Sequence, residues 1–171
     1  LGNQWIRNYL AADAVIGLDI PVHPLVRSAL SGGDLRTALR RLAVTSPSKR
    51  ISQIAQALGR RLGNTKIELV KNLKNNEGVS VAGLFDPKTN TIKVDTEIGI
   101  NPHTLLHETT HALTSATIQD NKTIRNQLET LFNKVEGLID TAYGLQRNED
   151  GSPNLDEFVA EAFSNPQFQK K

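Results

Sequence analysis

The stretch NPHTLLHETTHALTSATIQD, residues 101–120, constrains this chain more than any other. Asn101 offers a side-chain acceptor to the free first-turn N–H groups, and Pro102 has the fixed φ that suits the first helical position, so a helix is expected to begin here. At about 3.6 residues per turn, Leu105, Leu106, Thr109, Ala112, Leu113 and Ala116 gather on one side, and His107 and His111 project from nearly the opposite side. Two imidazoles one turn apart can share one ion. The intervening Glu108, turned by roughly 100°, can reach water held beside that ion and take its proton. The fold must then supply a core behind this helix and a cleft in front of it.

A catalytic zinc takes three protein ligands and keeps one position open. Cysteine is absent, which excludes thiolate ligands, disulfides and cysteine nucleophiles. A metzincin would carry a glycine and then a histidine at fixed steps past His111, but those positions hold Thr114 and Thr117. The third ligand is therefore expected among the acids downstream, from Asp120 to Glu161. Within LDEFVAEAF, Glu157 and Glu161 stand four apart on one helix face, opposite Leu155, Phe158, Val159, Ala162 and Phe163. Such a helix can bury its apolar side and aim both carboxylates across a cleft. One would bind the ion and the other would accept the remaining N–H of a ligand histidine. The alternative is that Glu157 completes a cap with Asn154 and both acids face solvent.

The rest of the chain reads as α+β. At 171 residues it is the size of one domain. Helices are expected over residues 4–15, after Asp34, after Ser48 and through a run from Ile124 to Ile139. Strands are expected at residues 66–71, 79–85 and 91–95, the last two joined by the DPKTN turn. His103, four before His107, can share its face but stands a full turn further from an ion between His107 and His111, and it reads as a polar helix-start residue; His23 reads as part of a Pro-rich connector. No apolar run approaches the roughly 18 residues of a membrane span, and no signal peptide is recognisable. The chain also lacks methionine, even at position 1. It is expected to be an excised piece of a longer polypeptide, with any targeting signal outside it.

The net charge of +2 conceals an asymmetry. Residues 1–75 hold twelve Lys/Arg against four Asp/Glu, a net of +8, and the remainder carries a net of −6. The basic part, with Arg40-Arg41 and Arg60-Arg61, offers a nucleic-acid footprint. Solvated helix faces are the plainer explanation, because no aromatic residues interleave with the arginines for base stacking.

HETTH followed by DEFVAEAFSNPQFQ resembles the gluzincin metallopeptidases, in particular domains related to the anthrax lethal factor catalytic domain and zincin-like domains of large phage and prophage polypeptides. The resemblance covers residues 46–168 and leaves residues 1–45 as an N-terminal helical extension. It implies a zincin-like fold: a small mixed sheet, mostly antiparallel, over the HExxH helix, with a C-terminal helical subdomain closing the cleft. It implies one zinc per chain held by His107, His111 and Glu157, with Glu161 behind a ligand histidine. It implies Glu108 as general base and Tyr143, in AYGL, as donor to the oxyanion. A peptide or protein substrate would lie along the edge strand, where Val81, Ala82 and Gly83 would present backbone groups. The phage resemblance implies a cytoplasmic or virion-associated protein. Two other readings stand beside this one: a virion module in which zinc serves stability, and a nucleic-acid-binding element. An intact Glu108 argues against a purely structural zinc, which needs no base.

Overall fold

A computed structural model describes residues 21–136, 138 and 145–169. The helix expected over residues 4–15, and Ile139, Asp140 and Tyr143, lie outside the described residues.

The first helix among the described residues is α1, Pro24–Ser31, where the sequence suggested only a Pro-rich connector. His23 caps it, its Nδ1 accepting from the Leu25 N–H at 3.1 Å, so the connector histidine has a local structural task. Helix α2, Leu35–Thr45, starts at Asp34, whose carboxylate accepts from Thr37 N–H. Helix α3, Lys49–Arg61, starts at Ser48, whose hydroxyl accepts from Ile51 N–H. Each cap satisfies a first-turn N–H that no carbonyl of the helix can reach.

Three strands follow: β1 Lys66–Val70, β2 Gly83–Asp86 and β3 Thr91–Asp95. They form one sheet in the order β1-β3-β2. β3 pairs parallel to β1 and antiparallel to β2. The sheet is thus mixed, with one pairing of each kind, and not mostly antiparallel. β3 lies inside and β2 at the rim, as expected.

The expected strand at 79–85 is corrected to Gly83–Asp86. The residues before Gly83 are held by other partners. Lys74 and Ser80 form an isolated antiparallel bridge, and Val81 N–H donates to Leu73 O. The buried Asp95 carboxylate accepts from Leu73, Glu97 and Ile98 N–H, which anchors this loop at the end of β3.

Helix α4, Pro102–Asp120, is capped by Asn101, whose side chain accepts from Thr104 N–H at 2.8 Å. Helix α5 spans Lys122–Glu136, and α6 spans Leu155–Ser164. A short α7, Pro166–Gln169, follows. Of the run expected to continue α5 toward Ile139, Leu138 is described and is exposed. Among the described residues no helix is long and apolar enough to cross a membrane.

Among the described residues, two hydrophobic clusters hold these elements. In the larger, Val26, Leu30, Leu39, Leu42, Ile51 and Ala55 from α1–α3 meet Ile67, Ile92 and Val94 from the sheet and Leu105 and Leu106 from α4. Residues on both sides of the 45/46 division contribute to it. In the smaller, Ile118, Phe132, Leu155, Phe158 and Val159 join α4, α5 and α6. Phe132 and Phe158 meet edge to face with centroids 5.4 Å apart.

α4 therefore has neighbours on several sides, and its burial departs from the expected two-sided pattern. Glu108, Thr109 and Thr110 are buried along with Leu105 and Leu106, while Ala116 is exposed. The threonines tolerate burial because their hydroxyls donate back to Leu105 O and Leu106 O. On α6, Phe163 is 45% exposed, against the expectation that it would join the apolar face.

Candidate metal centre and cleft

α4 and α6 pack along one another, and the polar residues of both meet between them. Asn154 caps α6 through Glu157 N–H at 3.2 Å, a backbone bond that leaves the Glu157 side chain available. That carboxylate turns toward α4. Its Oε2 lies 3.3 Å from His107 Nε2 and its Oε1 lies 3.1 Å from His111 Nε2. The two Nε2 atoms are 3.1 Å apart.

These distances test whether the three residues fit a metal. Donors at the corners of a tetrahedron with metal–ligand bonds of about 2.0–2.1 Å stand about 3.3–3.4 Å from one another. The two Nε2 atoms stand within a few tenths of an ångström of that, and each has a different Glu157 oxygen equally near, so the carboxylate faces the space between the two rings. Two imidazoles and a carboxylate are also a donor set that suits zinc. His107, His111 and Glu157 can hold a metal ion.

Glu161, one turn further along α6, reaches the other nitrogen of His107. Its Oε1 lies 3.2 Å from His107 Nδ1, and its Oε2 accepts from the fully buried Asn165 side chain at 2.8 Å. His103 also belongs here, with Nε2 3.5 Å from Glu161 Oε1. The reading of His103 as a mere helix-start residue is corrected. Its spacing of four before His107 was the available signal. What the spacing could not show is that Glu161 rises between the two rings.

Of the other acids downstream of the motif, Asp156 lines the cleft in front of the pair without approaching either Nε2, and two more have partners of their own. Glu136 is held by Arg147 at 2.9 Å, and Asp150 accepts from Ser152 in the loop before α6.

In front of these residues lies a cleft of about 380 Å³, bounded by β2, α4 and the start of α6. Gly83, Leu84 and Phe85 form its rim beside His107, Glu108 and His111. Of the three residues expected to meet a substrate, Gly83 lines the cleft. Val81 and Ala82 precede the strand, and the Ala82 carbonyl accepts from Asp95 N–H.

Gly83 is required by its neighbours. A Cβ there would lie 2.7 Å from Glu108 Cγ and 2.7 Å from Thr104 Cγ2. Thr104 is β-branched and cannot easily rotate away. Gly83→Ala is therefore expected to push β2 off α4. Overpacking of this kind costs about 1–3 kcal/mol. Thermal melting checks it: an unchanged midpoint would show that the strand yields without cost.

The charges follow from this packing. Burial alone would lower the His107 pKa, but hydrogen bonds to Glu157 and Glu161 outweigh it and raise the imidazole to about 10. Burial likewise opposes ionisation of Glu157, yet the bonds from His107 and His111 bring it down to about 2. Glu161 is held well below the usual carboxylate range, against its burial, by His103 and His107. Glu108 moves the other way: burial pushes its carboxyl up, although His107 and His111 pull against it.

These shifts set a pH window for the metal-free protein. The His107 pKa is raised from 6.5, so its stabilisation is complete below that pH and is lost as pH rises toward about 10. The Glu157 pKa is depressed from 4.5, so its stabilisation is present above that pH and is lost as pH falls toward about 2. The contribution of this cluster should be greatest between the two unperturbed values. A cation on His107 must displace its proton, so zinc should raise the melting temperature more at pH 8 than at pH 6. Melting curves with zinc and with chelator across pH 4–9 would show it. A zinc-induced shift that does not vary with pH would exclude His107 as a ligand.

The basic arginines are partly engaged on the protein itself. The Arg36 guanidinium donates to the carbonyls of Gly59 in the last turn of α3 and of Leu62 and Gly63 just beyond it, and Arg41 donates to Leu25 O. These contacts place two of the cations on helix ends.

Comparison of the chain with protein-family models, curated proteins and solved structures found no match.

Proposed function

We propose that this chain is a zinc-dependent endopeptidase of the gluzincin type, with a zincin-like fold. The observation that carries the reading is the convergence of His107, His111 and Glu157, 3.1–3.3 Å apart, beside a buried Glu108 in a cleft rimmed by an edge strand. When bound by these residues, zinc supplies Lewis-acid chemistry and activation of water at neutral pH.

The remaining roles belong to the protein. Glu108 takes a proton from water on its carboxylate and passes it to the leaving amine. A carboxyl raised by burial is suited to both halves of that transfer. Glu161 accepts from His107 Nδ1–H and so leaves Nε2 as the ligand atom. β2 offers its outer edge to an extended peptide, and Gly83, with no Cβ, lets that strand lie close against Glu108 and Thr104 of α4. This shifts the expected backbone contacts from Val81 and Ala82 toward Gly83, Leu84 and Phe85. Tyr143 keeps the oxyanion role that the resemblance implies.

The test is elemental analysis of the purified protein together with digestion of a mixed peptide library, with and without chelator. Close to one zinc per chain is expected, with cleavage abolished by chelation and restored by zinc. Full zinc occupancy with no cleavage of any library would overturn the peptidase reading in favour of zinc as a structural element.

A further inference from the structure

We propose that His103 is a positioning residue for the metal ligand His107, acting through Glu161. The inference rests on the metal centre proposed above and adds a residue to it.

The three histidines of α4 stand in a row at four-residue steps. The His103 ring stacks on that of His107, with centroids 5.6 Å apart and planes 22° from parallel. Glu161 bridges the pair, with one oxygen 3.5 Å from His103 Nε2 and 3.2 Å from His107 Nδ1. Its other oxygen is occupied by Asn165. A carboxylate with three donors, on a residue 8% exposed, has little freedom to swing. His103 thus fixes His107 twice, through the carboxylate that orients its Nδ1 and through the ring that packs on its face.

His103, His107 and Glu161 also bring one ligand atom each within 4.8 Å of one another, which raises the question of a second metal. The chemistry of imidazole decides against it. A neutral ring has one N–H and one acceptor nitrogen. With Nε2 turned to Glu157 and His111, a second ion on Nδ1 would require His107 to lose its last proton. Keeping that proton as a bond to Glu161 satisfies the buried carboxylate at no such cost.

Removing a partner that bonds directly to a ligand typically lowers metal affinity about 10–100-fold. His103 acts one bond further out, so a loss of about 10-fold, the low end of that range, is expected. His103→Phe keeps a ring against His107 and removes the donor. His103→Gln keeps a donor and removes the ring. Glu161→Gln and the double variant H103F/E161Q complete the set. Zinc affinity is read by competition with a chromophoric chelator, and ligand geometry by the visible spectrum of the cobalt-substituted protein.

His103→Phe should weaken zinc and alter the cobalt spectrum, His103→Gln should recover part of the affinity, and the double variant should bind no worse than Glu161→Gln alone. Losses that add in the double variant would overturn the inference, because His103 would then act independently of Glu161. So would His103→Phe with wild-type affinity and an unchanged cobalt spectrum. Failure of the wild-type protein to bind zinc would instead overturn the metal centre itself.

Discussion

Glu108→Gln is expected to bind zinc as the wild type does and to lose turnover. Loss of a general base typically costs about 10²–10⁴ in rate, and the loss should reach the upper end if Glu108 alone activates the attacking water. The substitution is close to isosteric, so the side chain still fills the space beneath Gly83 and beside Thr104. It also removes a carboxyl whose ionised form is penalised by burial. The melting temperature of the metal-free variant should therefore be no lower than that of the wild type. Zinc content, melting and peptide cleavage measured on one preparation separate the three effects. A variant that cleaves at the wild-type rate would remove Glu108 from the mechanism.

The second large effect is expected at Glu157. Glu157→Ala removes the only carboxylate within reach of both His107 Nε2 and His111 Nε2 among the described residues. Its zinc affinity should fall by more than the roughly 10–100-fold typical of changes outside the ligand set. The start of α6 should survive, because the cap is Asn154 accepting from the Glu157 backbone N–H, which alanine retains. Asp156→Ala is the matched control. Asp156 is the neighbouring acid on α6 and lines the same cleft. It lies on a different face of the helix, and one of its oxygens is buried without a hydrogen-bond partner. Little change in zinc affinity is expected there. Comparable losses in the two variants would show that the third ligand lies elsewhere.

Several features were legible in the residues because they depend only on local geometry. Asp34, Ser48, Asn101 and Asn154 each cap the helix that follows, since a short polar side chain before a helical run satisfies N–H groups that nothing else can. β3 matched its expected bounds, and the segment expected at the edge supplies the edge strand β2. His107 and His111 share a face because their spacing is one helical turn, and the same is true of Glu157 and Glu161.

Other features depend on contacts between distant segments. β2 is shorter than its apolar run because Asp95 and Leu73 capture the residues before Gly83. Gly83 carried no mark of its contact with Glu108, which exists only once strand and helix meet. His103 resembled any polar residue near a helix start until Glu161, 58 positions later, was placed between it and His107.

The sequence by itself determined the starts of α2, α3, α4 and α6 and that His107 pairs with His111 and Glu157 with Glu161, because those follow from backbone periodicity and hydrogen bonds within a few residues; α1, in the expected connector, was not legible in it. Tertiary structure alone decided that the two helices cross so that Glu157 meets both imidazoles. It also decided that Glu108 is buried with a raised pKa and that His103 belongs to the centre. The physical reason is that desolvation and the pairing of charges arise only when separate segments pack together and exclude water.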